Sequence, residues 1–406
     1  MNLALWIGQW VLGAALAIAG VFKLTLPAGQ AMETFPWSVD HPTLFVVTST
    51  LDALGGLGLL LPALTRVFPW LTWMAAMGVG ALMAGAAVFH LLRGEASEIV
   101  PNIVLAAIAA FIAWGRLRRA PIVRRLPAPK PFAGPLPLAR PPAGMRITQL
   151  PTGTYATPAA FAVRGGSIRD RRDFASTAVL IEHPQGDLLI DAGFGRDAEA
   201  HIASLPSFRR SAHTLNPTAS AQLDVHGYDR SRLRGVLVTH THWDHVSGLD
   251  SLDVPVWINA DELAYARAAK DDRVFMTVAE HHELRTYRFD GPAYLGFPAS
   301  HDFYGDGSVV IVPAAGHTTG SVVVFVATPD SRRYAFIGDL TWQLDGIVSR
   351  VERPLLMQRL ADSDAGQVRD DLVRILAIAD RYQVVPAHDA RGYEGIPVLA
   401  ARKDEA

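Results

Sequence analysis

Cysteine is absent from all 406 residues. No disulfide, thiol nucleophile or thiolate-held metal is therefore possible. Any metal must be held by imidazole and carboxylate. An excess of charge of either sign is also lacking. The 37 Lys and Arg against 39 Asp and Glu leave a net charge of −2. That gives no general attraction to nucleic acid, and no such partner is expected. Charge itself is scarce at one end. Residues 1–115 hold only Lys23, Glu33, Asp40, Asp52, Arg66, Arg93, Glu95 and Glu98. One region is composed for lipid and the other for water. A single soluble domain is excluded, as is a disordered or collagen-like chain. A cleaved signal peptide is not expected, because the first apolar segment has no basic stretch before it and further apolar segments follow.

Four apolar stretches are long enough to cross a hydrocarbon core of roughly 30 Å. They run over about 3–22, 43–63, 68–91 and 99–115. Small residues crowd them, among them Gly13, Ala17, Gly55, Gly56, Gly58, Gly80 and Gly85. Such residues let helices approach closely in lipid, which predicts a compact four-helix transmembrane bundle. Trp6, Trp10, Trp70, Trp73 and Trp114 lie toward the span ends, as an aromatic belt requires. The flank holding both ends of the bundle carries Arg66, Arg116, Arg118, Arg119, Arg124, Arg125, Lys130 and Arg140, against Lys23 and Arg93 opposite. Eight to two predicts an inner cell-membrane protein whose C-terminal part faces the cytoplasm. Residues 116–144 contain eight prolines and most of those arginines. They are expected to form an extended, semi-rigid linker between a membrane domain at 1–115 and a domain at 145–406.

From about residue 145 the pattern turns to short β-branched runs with helices between them. Residues 178–183 and 187–191 read as a hairpin across Pro184-Gln185-Gly186. Further strands are expected at 235–239, 256–259, 309–312, 322–326, 334–337 and 384–386, and an amphipathic helix at 365–382. The segment His240-Thr241-His242-Trp243-Asp244-His245 follows a strand directly. Four ligand-type side chains in six residues suit a loop, where they can converge; on one helix His240 and His242 would diverge. These are donors that suit Zn²⁺, with Mn or Fe also admissible. Three other strand ends carry His317 in Gly316-His317-Thr318-Thr319-Gly320-Ser321, Asp339 in Gly338-Asp339, and His388. Asp191 ends the hairpin.

In this order the motifs resemble those of the metallo-β-lactamase-fold hydrolases, over about 145–400. The resemblance implies a multidomain protein, a helical membrane bundle followed by an αββα sandwich with two divalent metals at one edge. It would place His240, His242 and His317 on the first metal and Asp244, His245 and His388 on the second, with Asp339 bridging. Asp191 would be buried and orient the histidine loop. The implied reaction is attack of a metal-shared hydroxide on an ester- or lactone-type carbonyl, with Asp244 also steering protons. The nearest branch is the N-acyl homoserine lactonases. These carry tyrosine three residues beyond the bridging aspartate, where this chain has Trp342. Trp342 is then either apolar support or a wall of the substrate pocket whose indole N–H donates to the carbonyl oxygen. A mononuclear iron persulfide dioxygenase shares the fold and is one alternative; a non-enzymatic membrane metal sensor is another. The first half resembles the DoxX-like membrane family through Ala19-Gly20-Val21-Phe22-Lys23-Leu24, Leu51-Asp52-Ala53-Leu54-Gly55-Gly56 and Arg93-Gly94-Glu95 before Pro101-Asn102. The expected partners are a small-molecule ester or lactone and the lipid bilayer; oligomeric state is not legible. Asp52, mid-span, needs a partner such as Lys23, His90 or Asn102, or marks a proton or small-molecule site. His281-His282 is expected on a solvated helix surface, and Asp302 and Tyr304 in a turn.

Overall fold

The computed structural model describes residues 1–207, 210–270 and 273–400. The chain forms two compact units, Met1–Arg125 and Leu126–Ala406.

The first unit is built on four helices, Asn2–Thr25, Pro42–Thr65, Trp70–Leu92 and Ala96–Arg118, each long and apolar enough to cross a membrane. Each end lies within three residues of the expected span. Two short helices not anticipated, Ala28–Thr34 and Trp37–Asp40, join the first two. The small residues act as foreseen. A Cβ at Gly20 would strike the backbone of Ser49 and Ala53, and one at Gly56 the backbone of Gly13 and Ala17. The first and second long helices thus meet backbone to backbone. Asp52, only 4 % exposed, pairs with Lys23 at 3.0 Å. Arg116 is buried, donating to the side chains of Gln9 and Asn2 and lying over the Trp6 ring.

The second unit holds twelve strands among the described residues. β1 (Arg146–Pro158), β2 (Arg171–Glu182), β3 (Asp187–Ile190), β4 (His213–Leu215), β5 (Leu233–Leu237), β6 (Val256–Asn259) and β7 (Leu284–Tyr287) make a sheet ordered β4-β1-β2-β3-β5-β6-β7. β8 (His301–Asp302), β9 (Val309–Pro313), β10 (Val322–Ala327), β11 (Arg333–Phe336) and β12 (Gln383–Val385) make the other, ordered β12-β11-β10-β9-β8. The period-two alternation of each strand divides its side chains between layers. Val179 and Ile181 of β2, Ile311 of β9 and Val322 and Val324 of β10 share one core between the sheets. Ala178 and Leu180 face the helices outside the first sheet. Val323 and Phe325 face the helix Ala365–Leu376 outside the second, through its Val368, Leu372 and Ile375. The result is helix, sheet, sheet, helix.

Every expected strand is present. β1, β4, β7 and β8 were not foreseen. β1 carries Thr148, Gln149, Thr152 and Thr154 among its apolar residues, and Gly153 interrupts its register against β2. The helix expected over 365–382 ends at Leu376.

The proline-rich segment, expected to be an extended, semi-rigid linker over 116–144, groups with the second unit from Leu126 onward. Leu126 is 4 % exposed within the outer core of the second sheet, and Phe132 and Leu136 pack against that core. The amides of Leu126, Phe132 and Arg140 donate to the carbonyls of Arg350, Ala377 and Asp306. Arg333 and Arg381 donate to the carbonyls of Pro137 and Gly134. A polyproline-like strand has no internal hydrogen bonds, so its carbonyls are free for this. The apolar residues between the prolines supply the contact.

Candidate functional site

The parallel pairs β3–β5 and β11–β12 bring four strand ends to one edge of the sandwich. Asp191 leaves β3 with a positive φ of 53°, and Gly338 leaves β11 with 49°. Thr239-His240 follows β5, and His388 follows β12. His317 sits in the turn between β9 and β10. Residues between Asp191 and His388 converge because strand ends of the two sheets meet at one edge of the sandwich.

Two groups of ligand-type atoms result, each within 4.8 Å. One comprises His240, His242, His317 and Asp339; the other Asp244, His245 and His388. Nε2 of His240 lies 3.1 Å from Nδ1 of His242, and Nε2 of His317 lies 3.0 Å from the same atom. Nε2 of His245 and Nε2 of His388 are 3.2 Å apart. Asp339 stands between the groups. Its Oδ2 is 3.2 Å from His317 Nε2, and its Oδ1 is 3.1 Å from His388 Nε2. All seven expected residues therefore meet in one place.

The far side of each imidazole decides what the near side can do. His245 Nδ1 faces Asp191 Oδ2 at 2.8 Å, and Asp191 also takes the amide of Thr239 at 2.7 Å. His388 Nδ1 meets the Ala175 carbonyl at 2.8 Å. His317 Nδ1 meets Asp362 Oδ1 at 3.1 Å. For His245 and His388 these acceptors take the Nδ1 proton and, in the neutral ring, leave the Nε2 lone pair turned inward; His317 Nδ1 also has the Arg353 guanidinium at 3.0 Å. Inward lone pairs about 3 Å apart repel unless a cation lies among them. The Asp339 Oδ1 atom is likewise buried without a hydrogen-bond donor. The residues present therefore fit divalent metal ions.

Electrostatics follow burial and charge. Burial among other imidazoles pushes His240 well below the ordinary histidine range. Burial also opposes charge on His245, but Asp191 and Asp339 outweigh it and hold His245 well above. Burial would raise the Asp339 carboxyl, yet His388, His245 and His317 hold it well below the carboxylate range.

Trp342 departs from expectation. Its indole N–H is not free to meet a substrate carbonyl; it donates to Asp339 Oδ2 at 2.7 Å. Its ring packs on Phe174, and the Arg353 guanidinium lies 4.5 Å from its centre. A short turn from Asp339 brings the indole back onto the nearest acceptor, a buried carboxylate.

Four contributors had no signal in the sequence. Tyr155 on β1 donates its hydroxyl to Asp244 Oδ2 at 2.9 Å. Burial and the carboxylates of Asp244 and Asp339 push its phenol well above the usual range, so it stays protonated. Glu262, 1 % exposed, accepts from the amide and hydroxyl of Thr241, the hydroxyl of Thr318 and the amide of Gly320. It staples the two histidine loops together. Arg353 and Asp362 form a buried pair at 2.7 Å. Arg353 also donates to the carbonyls of Asp339 and Leu340. Each lies in a segment with no motif, and Tyr155 is 89 positions from its partner. Two smaller expectations divide. Asp302 does cap its turn, accepting from Gly305 and Gly307. Of the histidine pair, neither of which lies in a helix, His281 is exposed as expected, but His282 is half-buried, its ring nitrogens 2.7 and 3.0 Å from the carbonyls of Val254 and Leu249.

Comparison with known proteins agrees with this geometry. Residues 7–112 match the DoxX-like family. Probable metallo-hydrolases of Mycobacterium bovis and Mycobacterium tuberculosis are each 29 % identical over 237 residues, covering 53 % of this chain and 75 % of theirs. A solved N-acyl homoserine lactone hydrolase, with N-hexanoyl-L-homoserine bound at its catalytic metal centre, superposes with a TM-score of 0.51 at 15 % identity. It covers 65 % of this chain and 98 % of its own. Residues 171–388, more than half of the chain, match the metallo-β-lactamase superfamily, and the protein belongs to it.

Proposed function

We propose that the protein is a dinuclear metal-dependent hydrolase of an ester or lactone, anchored in the cell membrane with its hydrolase unit in the cytoplasm. The observation that carries the reading is the pair of ligand groups on either side of Asp339, with the outward nitrogens of His245, His317 and His388 already engaged. His240, His242 and His317 would hold the first ion and Asp244, His245 and His388 the second, with Asp339 shared between them. Zinc is the metal expected from this donor set. Two such ions would supply a water of near-neutral pKa and a Lewis acid for the carbonyl oxygen. The chain's own residues do the rest. Asp244 accepts a proton and passes it toward the leaving oxygen. Tyr155 holds Asp244 in place and offers the one phenol hydroxyl observed on it. Trp342 fixes the orientation of Asp339 and closes one side of the cleft. The likeness to a lactone hydrolase makes lactones the first substrates to try.

The test measures metal content and hydrolysis on one sample of detergent-solubilised protein, over lactones, esters, thioesters and phosphotriesters. Two metals per chain and lactone or ester turnover are expected. One iron per chain with oxygen uptake on a persulfide would overturn the reading in favour of a dioxygenase. Metal without turnover would favour a sensor. For orientation, reporters fused after Arg125 and within residues 28–40 should report opposite sides of the membrane.

A further inference from the structure

The second unit leaves ten large apolar side chains exposed among its described residues, and six of them fall in two short segments. They are Phe161 and Ile168, then Val348, Leu355, Leu356 and Leu360. The last three lie on one helix, Leu355–Ala361, and are 65 %, 58 % and 49 % exposed. The two segments are tied together: the Arg164 amide donates to the Glu352 carbonyl at 3.0 Å, and the two side chains pair at 3.2 Å. The other side of the same helix is not free. Its Met357 and Ala361 pack with Trp342, Phe174 and Ala162, and the Trp342 indole donates to Asp339 of the ligand cluster. In or next to the same two segments, Arg169, Arg171 and Arg359 are exposed and have no ion-pair partner among the described residues. Exposed apolar side chains in segments that also carry unpaired arginines suit an anionic lipid surface.

We propose that this face docks on the membrane the chain is anchored in, so that the cleft takes amphiphilic substrates from the lipid. Covalent connectivity favours lipid over any other occupant. The chain enters the unit at Leu126, whose amide donates to the Arg350 carbonyl at 2.6 Å, between Val348 and the leucine helix. Only residues 119–125 separate Leu126 from the last membrane helix, and they span at most about 25 Å when extended. The entry point of the tether and the apolar face are therefore neighbours, and bilayer lies within reach of both.

The absence of cysteine makes the test direct. Single variants Ile168→Cys and Leu356→Cys of the full chain are labelled with an environment-sensitive fluorophore. Val225→Cys, 79 % exposed and outside these segments, is the control. Each is reconstituted in vesicles of phosphatidylethanolamine and phosphatidylglycerol. Labels at 168 and 356 should shift to the blue, lose emission to lipid-borne spin labels and be shielded from aqueous iodide; the label at 225 should do none of these. Equal iodide access at all three positions overturns the proposal. Shielding without quenching by the lipid-borne label also overturns it, since protein then covers the face. Neither readout needs catalysis, so a failed hydrolase reading would not be mistaken for a failed docking surface. The substrate clause does rest on that reading. Replacing Leu355, Leu356 and Leu360 with serine should slow hydrolysis of a long-chain ester in vesicles and spare a short soluble one. Equal loss on both would overturn that clause.

Discussion

The two units handle buried polarity in opposite ways. In the membrane unit the buried polar groups are few and separate. Lys23 meets Asp52, and Arg116 meets Gln9 and Asn2. The second unit concentrates its buried polar groups at one sheet edge, where Asp191, His240, Asp244, His245, His317, Asp339 and His388 are all less than 8 % exposed. The surfaces differ in the same way. The bundle exposes leucines and valines along its helices, while the second unit hides most of its own between layers and exposes a cluster at 348–360. A polar group inside a lipid-facing bundle has only its neighbours to satisfy it, so each needs one dedicated partner. A folded sandwich can gather many polar groups, because its apolar layers support the edge where they meet.

The sharpest break in this comparison is Asp339→Asn. It removes the carboxylate that both ligand groups share and leaves the bundle untouched. Hydrolysis should fall by more than the roughly 100-fold that loss of a supporting residue costs. Metal analysis should show both ions weakened, with unchanged helix content by circular dichroism.

Second in size is the proline-rich strap. A soluble fragment starting at residue 145 loses Leu126, Phe132 and Leu136 from the outer core, at ~1.5–3 kcal/mol for each side chain fully buried. Since two of the three are only partly buried, it should be less stable than a fragment starting at 126 by about 4 kcal/mol. Urea denaturation of the two fragments checks this; equal midpoints would return the strap to the role of a spacer.

Asp52→Ala sharpens the membrane side. It strands Lys23 inside the bundle and should cost roughly 3 kcal/mol. Thermal unfolding in detergent should register the loss while hydrolysis at lower temperature is unchanged. A parallel loss of activity would show that the units are coupled.

The smallest effect expected is that of Trp342→Phe. It removes one hydrogen bond to a buried carboxylate, worth about 1.5–3 kcal/mol, and keeps most of the apolar contact. The change should appear in metal affinity. An unaltered kcat at saturating metal would fit a residue that orients Asp339; a large fall in kcat would restore the indole as a donor to substrate.

Much was determined by sequence alone. Four apolar runs, with Asp52 their one charge, specify four spans, because hydrocarbon tolerates little else. The ligand-type residues were readable as a set, since their motifs follow short apolar runs read as strands and their order resembles that of a known family. A partner for Asp52 was expected because a lone carboxylate in lipid is too costly; of Lys23, His90 and Asn102, the structure selects Lys23. The tertiary structure decided what depends on residues distant in the chain. Tyr155 reaches Asp244 across 89 positions, and Glu262 joins loops that only the sheet edge brings together. The Trp342 indole has two acceptors in principle, and the position of Asp339 selects one. The strap shows the same limit. Its prolines exclude helix, as composition requires, but whether an extended segment floats or packs depends on a complementary apolar surface elsewhere. Here that surface is the outer face of the second sheet, completed by residues 250 positions further along the chain.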